Sequence, residues 1–394
     1  MAITTKDVNA KLDTLCDQLR HRQLKGPYAI ALATALLLRQ LVSQGRWSTT
    51  TDLTEQITQV AQRLRRAQPQ ELITTNVARR VLHIVREVRA TVEQDMTTVS
   101  STPSTTSLSS SSSSSGTSTP VPSPVPINTT PRQPSTSALA ALFNEHPPGS
   151  PSSQGRERSV EEEKALSYEM KPELIQSLQE LIDELESGPG NIATQAAEHI
   201  HENEIILTMG RSLTVEAFLK AAAKKRRFQV VVAETGPDFQ GHAQALALTK
   251  HGIQTTVISD AAVFAVMSRM NKVLLEAHTV LANGGVMAIA GSRLMAEAAT
   301  VHKTPVMLAA SAIQLSPEAL FDPSTHTECI SPSHLLPSLE AREGGMVDEV
   351  NPVREYIPPS SIDLYLTNVG AHPTSYLTRL ISENYHVQDT YLGW

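Results

Sequence analysis

The sequence predicts an α/β protein in which an N-terminal helical domain precedes a doubly wound, mostly parallel sheet. Helical periodicity fills residues 1–95 and resumes at residue 160, before any strand-like run. Between residues 204 and 310, short apolar runs rich in Val and Ile alternate with helix-like segments. These runs lack polar alternation, as expected of parallel strands that are covered on both faces. The second half of the chain is therefore predicted to be a Rossmann-like domain.

The first 95 residues are predicted to form a domain of helices. Pro27 follows Gly26 and is suited to the first turn of the second helix. Residues 29–42 are apolar nearly all round, as in the central helix of a bundle. Four arginines lie between the apolar positions of the fourth helix, namely Arg79, Arg80, Arg86 and Arg89. We interpret this charged face as solvated, in preference to a partner site.

Residues 96–159 interrupt the helical domain. The segment holds an unbroken serine run at 109–115 and prolines at alternate positions from Pro120 to Pro126. It cannot bury enough apolar surface to fold, so we predict a disordered insertion that a protease would cut first. Residues 160–201 continue the helical domain and connect it to the sheet. Their long helix is predicted to end at residues 187–190, where the sequence reads Ser-Gly-Pro-Gly.

The sheet domain is assigned to residues 202–394. Strands are predicted at 205–208, 229–235, 255–259, 272–277 and 305–310, with two more at 353–357 and 362–367. Helices are predicted at 214–227, 239–251, 260–271 and 293–302, and a last helix starts near residue 372. Ser212 and Asp260 are predicted helix caps, and Gly252 is a predicted left-handed residue after a helix.

Composition limits the functions that need considering. The net charge of −7 does not suggest a general nucleic-acid binder, although residues 1–95 carry 14 basic and 9 acidic side chains. Cys16 and Cys329 provide neither a disulfide framework nor a zinc site, which suits a reducing compartment such as the cytoplasm. The N-terminus has no apolar signal core, and the longest apolar run is too short to span a bilayer. We expect no metal, no cofactor and no membrane partner.

Chemistry in an open parallel sheet is expected beyond the carboxyl ends of its strands. Gly210 stands there alone, without the other glycines of a dinucleotide fingerprint, and we interpret it as part of a tight turn. We interpret His278 as a packed interior histidine. The run Lys224 to Arg227 resembles a nuclear-localisation string, but at a helix end it more simply complements the helix dipole. Four acids near strand ends are interpreted as caps and turn residues: Glu234, Asp238, Asp260 and Glu276.

Several segments carry a family resemblance. Residues 203–219, which read Asn-Glu-Ile-Ile-Leu-Thr-Met-Gly-Arg-Ser-Leu-Thr-Val-Glu-Ala-Phe-Leu, resemble the regulatory subunits of eukaryotic translation initiation factor 2B. Residues 232–242 and 260–270 are similar to the beta class within that family, and 362–370 with 373–376 fit its closing segment. The resemblance covers residues 160–390 well and the N-terminal helices loosely. The serine-rich insertion matches nothing in it.

That superfamily also contains isomerases of methylthioribose-1-phosphate and ribose-1,5-bisphosphate. In the isomerases a cysteine follows the first strand, and the resemblance aligns Gly210 of this chain with it. The resemblance places an aspartate after a later strand, where this chain has His278, and an Asn-Lys pair where this chain has Ala288 and Ile289. Isomerisation needs a positioned acid and base, and the phosphate needs a cation or a donor. The resemblance therefore implies that no catalytic residue is present.

The implied function is that of a non-catalytic regulatory subunit of the guanine-nucleotide exchange complex for translation initiation factor 2. Such a subunit scaffolds the complex and helps to sense phosphorylated factor 2. The implied main partner is the homologous delta subunit, and the alpha, gamma and epsilon subunits and factor 2 are further partners. Two alternatives stay open, a sugar-phosphate isomerase and a metabolite-sensing pseudoenzyme.

Two regions are candidate interfaces. The last helix carries more large apolar side chains than one small helix needs, namely Tyr376, Leu377, Leu380, Ile381 and Tyr385. Contiguous apolar patches of this kind usually mark interfaces, so we expect the delta subunit to bind there. His242 lies near a helix start, and the resemblance places it where two beta–delta pairs meet. For His242, an interface role and a core role remain equally open.

Overall fold

The computed structural model describes residues 5–45, 47–99, 160–320, 322, 327–331 and 350–390. The predicted insertion therefore lies outside the described residues from position 100 to position 159. Its first four positions, 96–99, belong to the fourth helix, so the boundary expected at residue 95 is too early. The disorder of the insertion stays a prediction.

Five long helices pack around one apolar core in the N-terminal half. They are α1 Thr5–Arg20, α2 Pro27–Gln44, α3 Thr50–Ala67, α4 Leu72–Val99 and α5 Val160–Thr194. The core holds side chains between Val8 and Val92 and again between Leu166 and Leu185. Side chains of residues 166–185 thus share one core with the first four helices. Pro27 takes the first turn of α2, as expected.

The predicted end of α5 at residues 187–190 is wrong. The helix continues through Pro189 to Thr194, and the short α6 Ala196–His199 follows. A proline inside a helix removes one backbone hydrogen bond. Leu185 and Ile192, on either side of Pro189, are both buried. Packing of these side chains outweighs the local breaker signal.

A seven-stranded sheet forms the centre of the C-terminal half, in the order β10–β9–β7–β4–β1–β2–β3. All neighbouring pairs are parallel except β9 with β10. The strands are β1 Ile205–Met209, β2 Gln229–Ala233, β3 Gln254–Ile258, β4 Lys272–Glu276, β7 Val306–Ala309, β9 Leu364–Thr367 and β10 Gly370–His372. The five predicted strands between residues 205 and 310 are confirmed in type, and β10 was not predicted.

Helices cover both faces of this sheet, so the predicted double winding is confirmed. The helices are α7 Leu213–Ala223, α8 Gln240–Thr249, α9 Val263–Met267, α10 Ser292–His302 and α11 Leu377–Asn384. Ile206 and Leu207 are adjacent in β1 but belong to different apolar cores. The core of Ile206 includes α7 and α8, and the core of Leu207 includes α9, α10 and α11.

A second sheet of three antiparallel strands was not predicted as such. It consists of β5 Thr279–Val280, β6 Val286–Ile289 and β8 Arg354–Ile357, in the order β5–β6–β8. The turn between β5 and β6 requires glycine twice. Gly284 has a φ of +81°, and a Cβ at Gly285 would lie 2.3 Å from the Tyr356 ring. A two-residue strand has no periodicity that sequence reasoning can detect.

Candidate functional site

The turn after β1 is closed by apolar side chains. Gly210 has a φ of +67°, and its amide donates a hydrogen bond of 2.8 Å to the Thr235 hydroxyl. A Cβ at position 210 would lie 3.4 Å from the Cδ1 atom of Ile289. The structure therefore confirms the tight turn and brings Gly210 and Ile289 together. An aliphatic side chain occupies the space beside Gly210.

Asp260 and Ser212 bind backbone amides at this edge of the sheet. The Asp260 carboxylate accepts hydrogen bonds from the amides of Thr235 at 2.9 Å and Gly236 at 2.7 Å. Its predicted role as a helix cap is wrong, because the turn after β2 presents two free amides to it; the role as a turn residue is confirmed. Ser212 does cap α7, since its hydroxyl accepts from the Val215 amide at 3.0 Å. Glu234 lies 3.8 Å from the His242 imidazole, too far for a hydrogen bond.

Glu276, at the same edge, has a raised pKa. It ends β4, the strand beside β1, and is half-buried. Burial raises the pKa of its carboxyl group to about 7, although hydrogen bonds from the Ser212 and Thr214 hydroxyls oppose the change. The side chain therefore exchanges a proton near neutral pH. A general acid or base would need such a pKa, but Gly210 and Ile289 beside it offer neither a nucleophile nor a phosphate-binding cation.

His278 joins the two halves of the chain. Its Nε2 atom lies 2.8 and 3.0 Å from the two carboxylate oxygens of Glu71. Glu71 is in the connection from α3 to α4, and its side chain is fully buried. Arg354 of β8 donates to the same carboxylate at 2.7 Å. The interpretation of His278 as an interior residue is confirmed. Glu71 and Arg354 were not anticipated, since they lie more than two hundred residues apart in sequence.

The charges of this cluster follow from its burial. Burial lowers the pKa of His278, and the nearby Arg354 guanidinium lowers it further. For Glu71, burial alone would raise the pKa, but His278 and Arg354 outweigh burial and hold it at about 2. At neutral pH, Glu71 is therefore an anion whose permanent counter-charge is Arg354. The neutral imidazole of His278 completes its hydrogen bonding.

Arg79, Arg80 and Arg86 of α4 are not a solvated face, so that interpretation is wrong for these three, whereas Arg89 is 40% exposed and pairs with Glu93 of the same helix. Arg79 is fully buried and donates to the Glu318 carboxylate at 2.6 Å and to the carbonyl oxygens of Asp389 and Thr390 at 3.1 and 3.0 Å. Arg86 binds the Asp389 carboxylate through two donors, and Arg80 donates to the Asn384 carbonyl. Asn384, Asp389 and Thr390 are in the C-terminal segment, which packs on α4, and Glu318 follows β7. Helical periodicity cannot reveal partners three hundred positions away.

The apolar residues of the last helix are not a free surface. Leu377 is 1% exposed and Leu380 is 3% exposed, and both lie in the core beneath the sheet together with Ile381 and Tyr385. The Tyr385 hydroxyl also donates to the Leu315 carbonyl at 2.7 Å. We expected an excess of apolar side chains here because the extent of the sheet that α11 covers cannot be seen in the sequence.

Tyr376 is the remaining member of that set and is half-buried. Its ring stacks on His372 with 4.5 Å between the ring centroids, and the Arg379 guanidinium lies 5.5 Å from its centroid. The ring is thus held mainly by contacts within the chain.

A second set of exposed side chains lies on and beside α8 and on the edge strand β3. His242 is 53% exposed, so its possible core role is wrong, and it stacks on Phe239 at 5.5 Å. Leu246 is 64% exposed and follows at helical spacing on α8. Val257 of the edge strand β3 pairs with Val232 and points to the same face of the sheet. We call Phe239, His242, Leu246 and Val257 the α8 face; apart from His242, the sequence reasoning missed it.

An open groove lies elsewhere, between α5, α6 and the β9–β10 hairpin. Its volume is about 480 Å³, and its lining includes Gln195, His199 and Asn368 but no lysine or arginine. Its lining therefore offers neutral donors to an anionic ligand but no permanent positive charge. Within the described part of the chain, no group of His, Cys, Asp and Glu side chains is arranged to hold a metal ion. None of the helices described is both long and apolar enough to cross a membrane.

Comparisons with known proteins agree with this architecture. The chain is 37% identical over 388 residues to "Translation initiation factor eIF2B subunit beta" of Schizosaccharomyces pombe, covering 97% of each protein. Among solved structures, eIF2B beta from Chaetomium thermophilum superposes with a TM-score of 0.68 at 25% identity, over 97% of this chain and 94% of that chain. A chain of the tetrameric eIF2B-beta2-delta2 complex of the same source has the same fold, with a TM-score of 0.65 at 24% identity, over 96% of this chain and 95% of that chain.

More distant similarity reaches an enzyme. Ribose 1,5-bisphosphate isomerase of Pyrococcus furiosus is 28% identical over 214 residues, which cover 54% of this chain and 66% of the isomerase. The Initiation factor 2 subunit family model matches residues 23–374, which include both the helical domain and the sheet. The chain therefore belongs to the Initiation factor 2 subunit family.

Proposed function

We propose that this chain is the beta-type regulatory subunit of the guanine-nucleotide exchange complex for translation initiation factor 2. The observation that carries the proposal is 37% identity to an eIF2B beta subunit along nearly the whole of both chains. The subunit scaffolds the complex and contributes to sensing phosphorylated factor 2. It acts in the cytoplasm, so a fluorescent fusion should be diffuse there and absent from membranes.

A non-catalytic role is consistent with the packing after β1. The isomerase resemblance expects a thiol, a carboxylate and a phosphate-binding lysine at positions 210, 278 and 289. Gly210 and Ile289 are packed against each other, and His278 is engaged by Glu71. We therefore expect no turnover of methylthioribose-1-phosphate or ribose-1,5-bisphosphate. Conversion of either compound above the rate in buffer by the purified chain would contradict the non-catalytic role.

The delta subunit is the main partner in this proposal, with alpha, gamma, epsilon and factor 2 as further partners. Support comes from the beta2-delta2 complex that shares the fold of this chain. The apolar side chains of α11 are buried in the core, so α11 cannot offer them to a partner. We therefore place the proposed delta-binding surface on the α8 face. Exposed apolar patches beside an edge strand are typical of protein interfaces.

Co-expression with delta tests the assembly and its surface together. The pair should give a defined hetero-oligomer by native mass measurement, and a variant carrying Leu246→Asp and Val257→Asp should lose it. Both side chains are exposed, so the circular dichroism of the variant should match the parent chain. The matched control is Val369→Asp, which is 67% exposed in the turn between β9 and β10. Normal assembly of the double variant would show that the α8 face is not the delta-binding surface. Failure of the parent chain to bind delta would contradict the proposed function.

A further inference from the structure

The amino ends of the parallel strands carry a concentration of basic side chains. The helices α7 to α10 end near this edge, and each is followed by a basic residue before the next strand begins. The members are all exposed: Lys224, Lys225, Arg226 and Arg227 after α7, Lys250 after α8, Arg269 after α9 and Lys303 after α10. We call these seven residues the basic edge. A chain with a net charge of −7 has no need of such a concentration for solubility.

Strand register places the members at the starts of four strands, two on either side of β1. Gln229 begins β2 and pairs with Gln254, which begins β3, so Arg227 and Lys250 precede neighbouring strand starts. Arg269 and Lys303 similarly precede the neighbouring strands β4 and β7, whose pairing joins Val273 to Val306. Five strands at about 4.8 Å spacing make an edge about 19 Å long, which an extended segment of about six residues spans.

The basic edge is not neutralised within the described residues. No ion pair links any of its seven members to an acidic side chain there, whereas Lys272 at the same edge is paired with Glu204 at 2.8 Å. Glu202 and Asp363 are the exposed acids of this edge. The helix dipole explains only part of the pattern, because Lys224 is the C-cap of α7 and Arg226 and Arg227 lie beyond the helix.

The backbone of the run Lys224 to Arg227 is fixed in the fold. The amides of Lys225 and Arg226 donate to the Ala222 carbonyl at 3.0 and 2.9 Å, and the Arg227 carbonyl accepts from the Asn203 amide at 2.7 Å. The run therefore cannot be read as an extended peptide without undoing the start of β2. Its side chains act as a fixed surface instead of a localisation string.

We propose that the basic edge is a docking surface for a short acidic segment of a protein partner. Carboxylates or phosphates complement the unpaired ammonium and guanidinium groups. A nucleic acid fits less well, because single strands are held by successive bases stacking on aromatic side chains, and the exposed Phe264 ring, which packs on His302 next to Lys303, lies at one end of the edge. Phe228, next to Arg227, is buried. The net charge of −7 and the acids Glu202 and Asp363 also favour a short anion over a long one.

Fluorescence anisotropy on the full chain tests this surface without any other subunit. The probe is a labelled oligoglutamate peptide of about six to ten residues, and oligoglutamine of equal length is the reference. Oligoglutamate should bind, and binding should weaken as salt rises towards about 0.15 M, where the Debye length is about 8 Å. Binding of oligoglutamate no better than oligoglutamine would overturn the proposal.

Matched charge reversals locate the binding. A variant carrying Lys224→Glu and Arg227→Glu should bind oligoglutamate at least about tenfold more weakly. The control carries Arg66→Glu and Lys164→Glu, which change the net charge equally at exposed positions of the helical domain, and should bind like the parent. A second variant, Lys225→Glu with Arg226→Glu, repeats the test if the first is unstable. Equal weakening by the control would overturn the proposal, as would tighter binding of an oligouridylate of the same charge through the same residues.

Discussion

Replacement of Glu276 by glutamine should change how the stability of this protein depends on pH. Glu276 ends the strand β4 beside β1, and its pKa is raised from 4.5 to about 7 by burial. The folded protein therefore keeps a proton that the unfolded chain releases between these two values. The stabilisation from this group is fully present below about pH 4.5 and is lost as the pH rises through about 7.

The size of the effect follows from the displacement of the pKa. A displacement from 4.5 to about 7 corresponds to about 3 kcal/mol of unfolding free energy if the group is fully shielded. Glu276 is only half-buried, so solvent screening reduces the expected effect to about 2 kcal/mol. Glutamine has the same shape and still accepts from the Ser212 and Thr214 hydroxyls, but it does not ionise.

Urea denaturation at about pH 5 and about pH 8 measures the difference. Relative to Glu276→Gln, the parent chain should lose about 2 kcal/mol of stability between the lower and the higher pH. The matched control is Glu297→Gln, which removes an exposed carboxylate 3.9 Å from Arg293 and should leave the pH dependence unchanged. If the unfolding free energies of the parent and of Glu276→Gln changed equally with pH, the reasoning would be refuted. The Glu276 carboxyl group would then have the same pKa in the folded and unfolded states.

Three further substitutions test the packing. Leu380→Ala should lower the unfolding free energy by about 2–5 kcal/mol by opening a cavity, against less than about 0.5 kcal/mol for the exposed Ser382→Ala; equal effects in urea denaturation would show that α11 is not packed in the core. Glu71→Ala should cost about 3–5 kcal/mol, because the buried Arg354 guanidinium loses the carboxylate at 2.7 Å and keeps the more distant Glu328 at 3.8 Å. Adding Arg354→Met should recover part of the loss, and a thermal shift without recovery would contradict this account. Gly210→Ala should cost about 1–2 kcal/mol in the same denaturation assay, since its φ of +67° disfavours a side chain, and an unchanged stability would contradict that backbone reading.

Local signals in the sequence predicted most of the sheet. Most strands of the large sheet between residues 205 and 310 are apolar runs, although β3 begins with Gln-Thr-Thr, and Ser212 and Gly252 mark helix ends through their own side-chain and backbone preferences. The signals failed where tertiary packing competes with them. Pro189 was expected to end α5, but buried side chains on both sides carry the helix past it. Strand β5 has two residues and no pattern to detect.

Partners distant in sequence explain the errors at the candidate sites. Arg79 resembles a solvated residue in its helix, yet its partners Glu318 and Asp389 come from the other end of the chain. Leu377 and Leu380 resemble an interface because the sheet surface beneath them is built from many separate strands. The sequence does not reveal the α8 face, because Leu246 has the spacing of an ordinary core residue although its side chain is exposed.

One contact that joins the two halves of the chain lies at a position that the isomerase resemblance singles out. Position 278, where the isomerase resemblance expects a catalytic carboxylate, carries a histidine that binds Glu71 of the helical domain. Arg354 adds a charge to this contact, and Arg79 makes a second charged contact with Glu318. Buried ion pairs contribute little net stability, but breaking one is costly, so they select a single arrangement of the parts they join. A catalytic cleft between the helices and the sheet would have to open for its substrate. A regulatory subunit has to present surfaces from both halves to its partners in one fixed geometry, and the contacts of Glu71 and Arg79 provide that geometry.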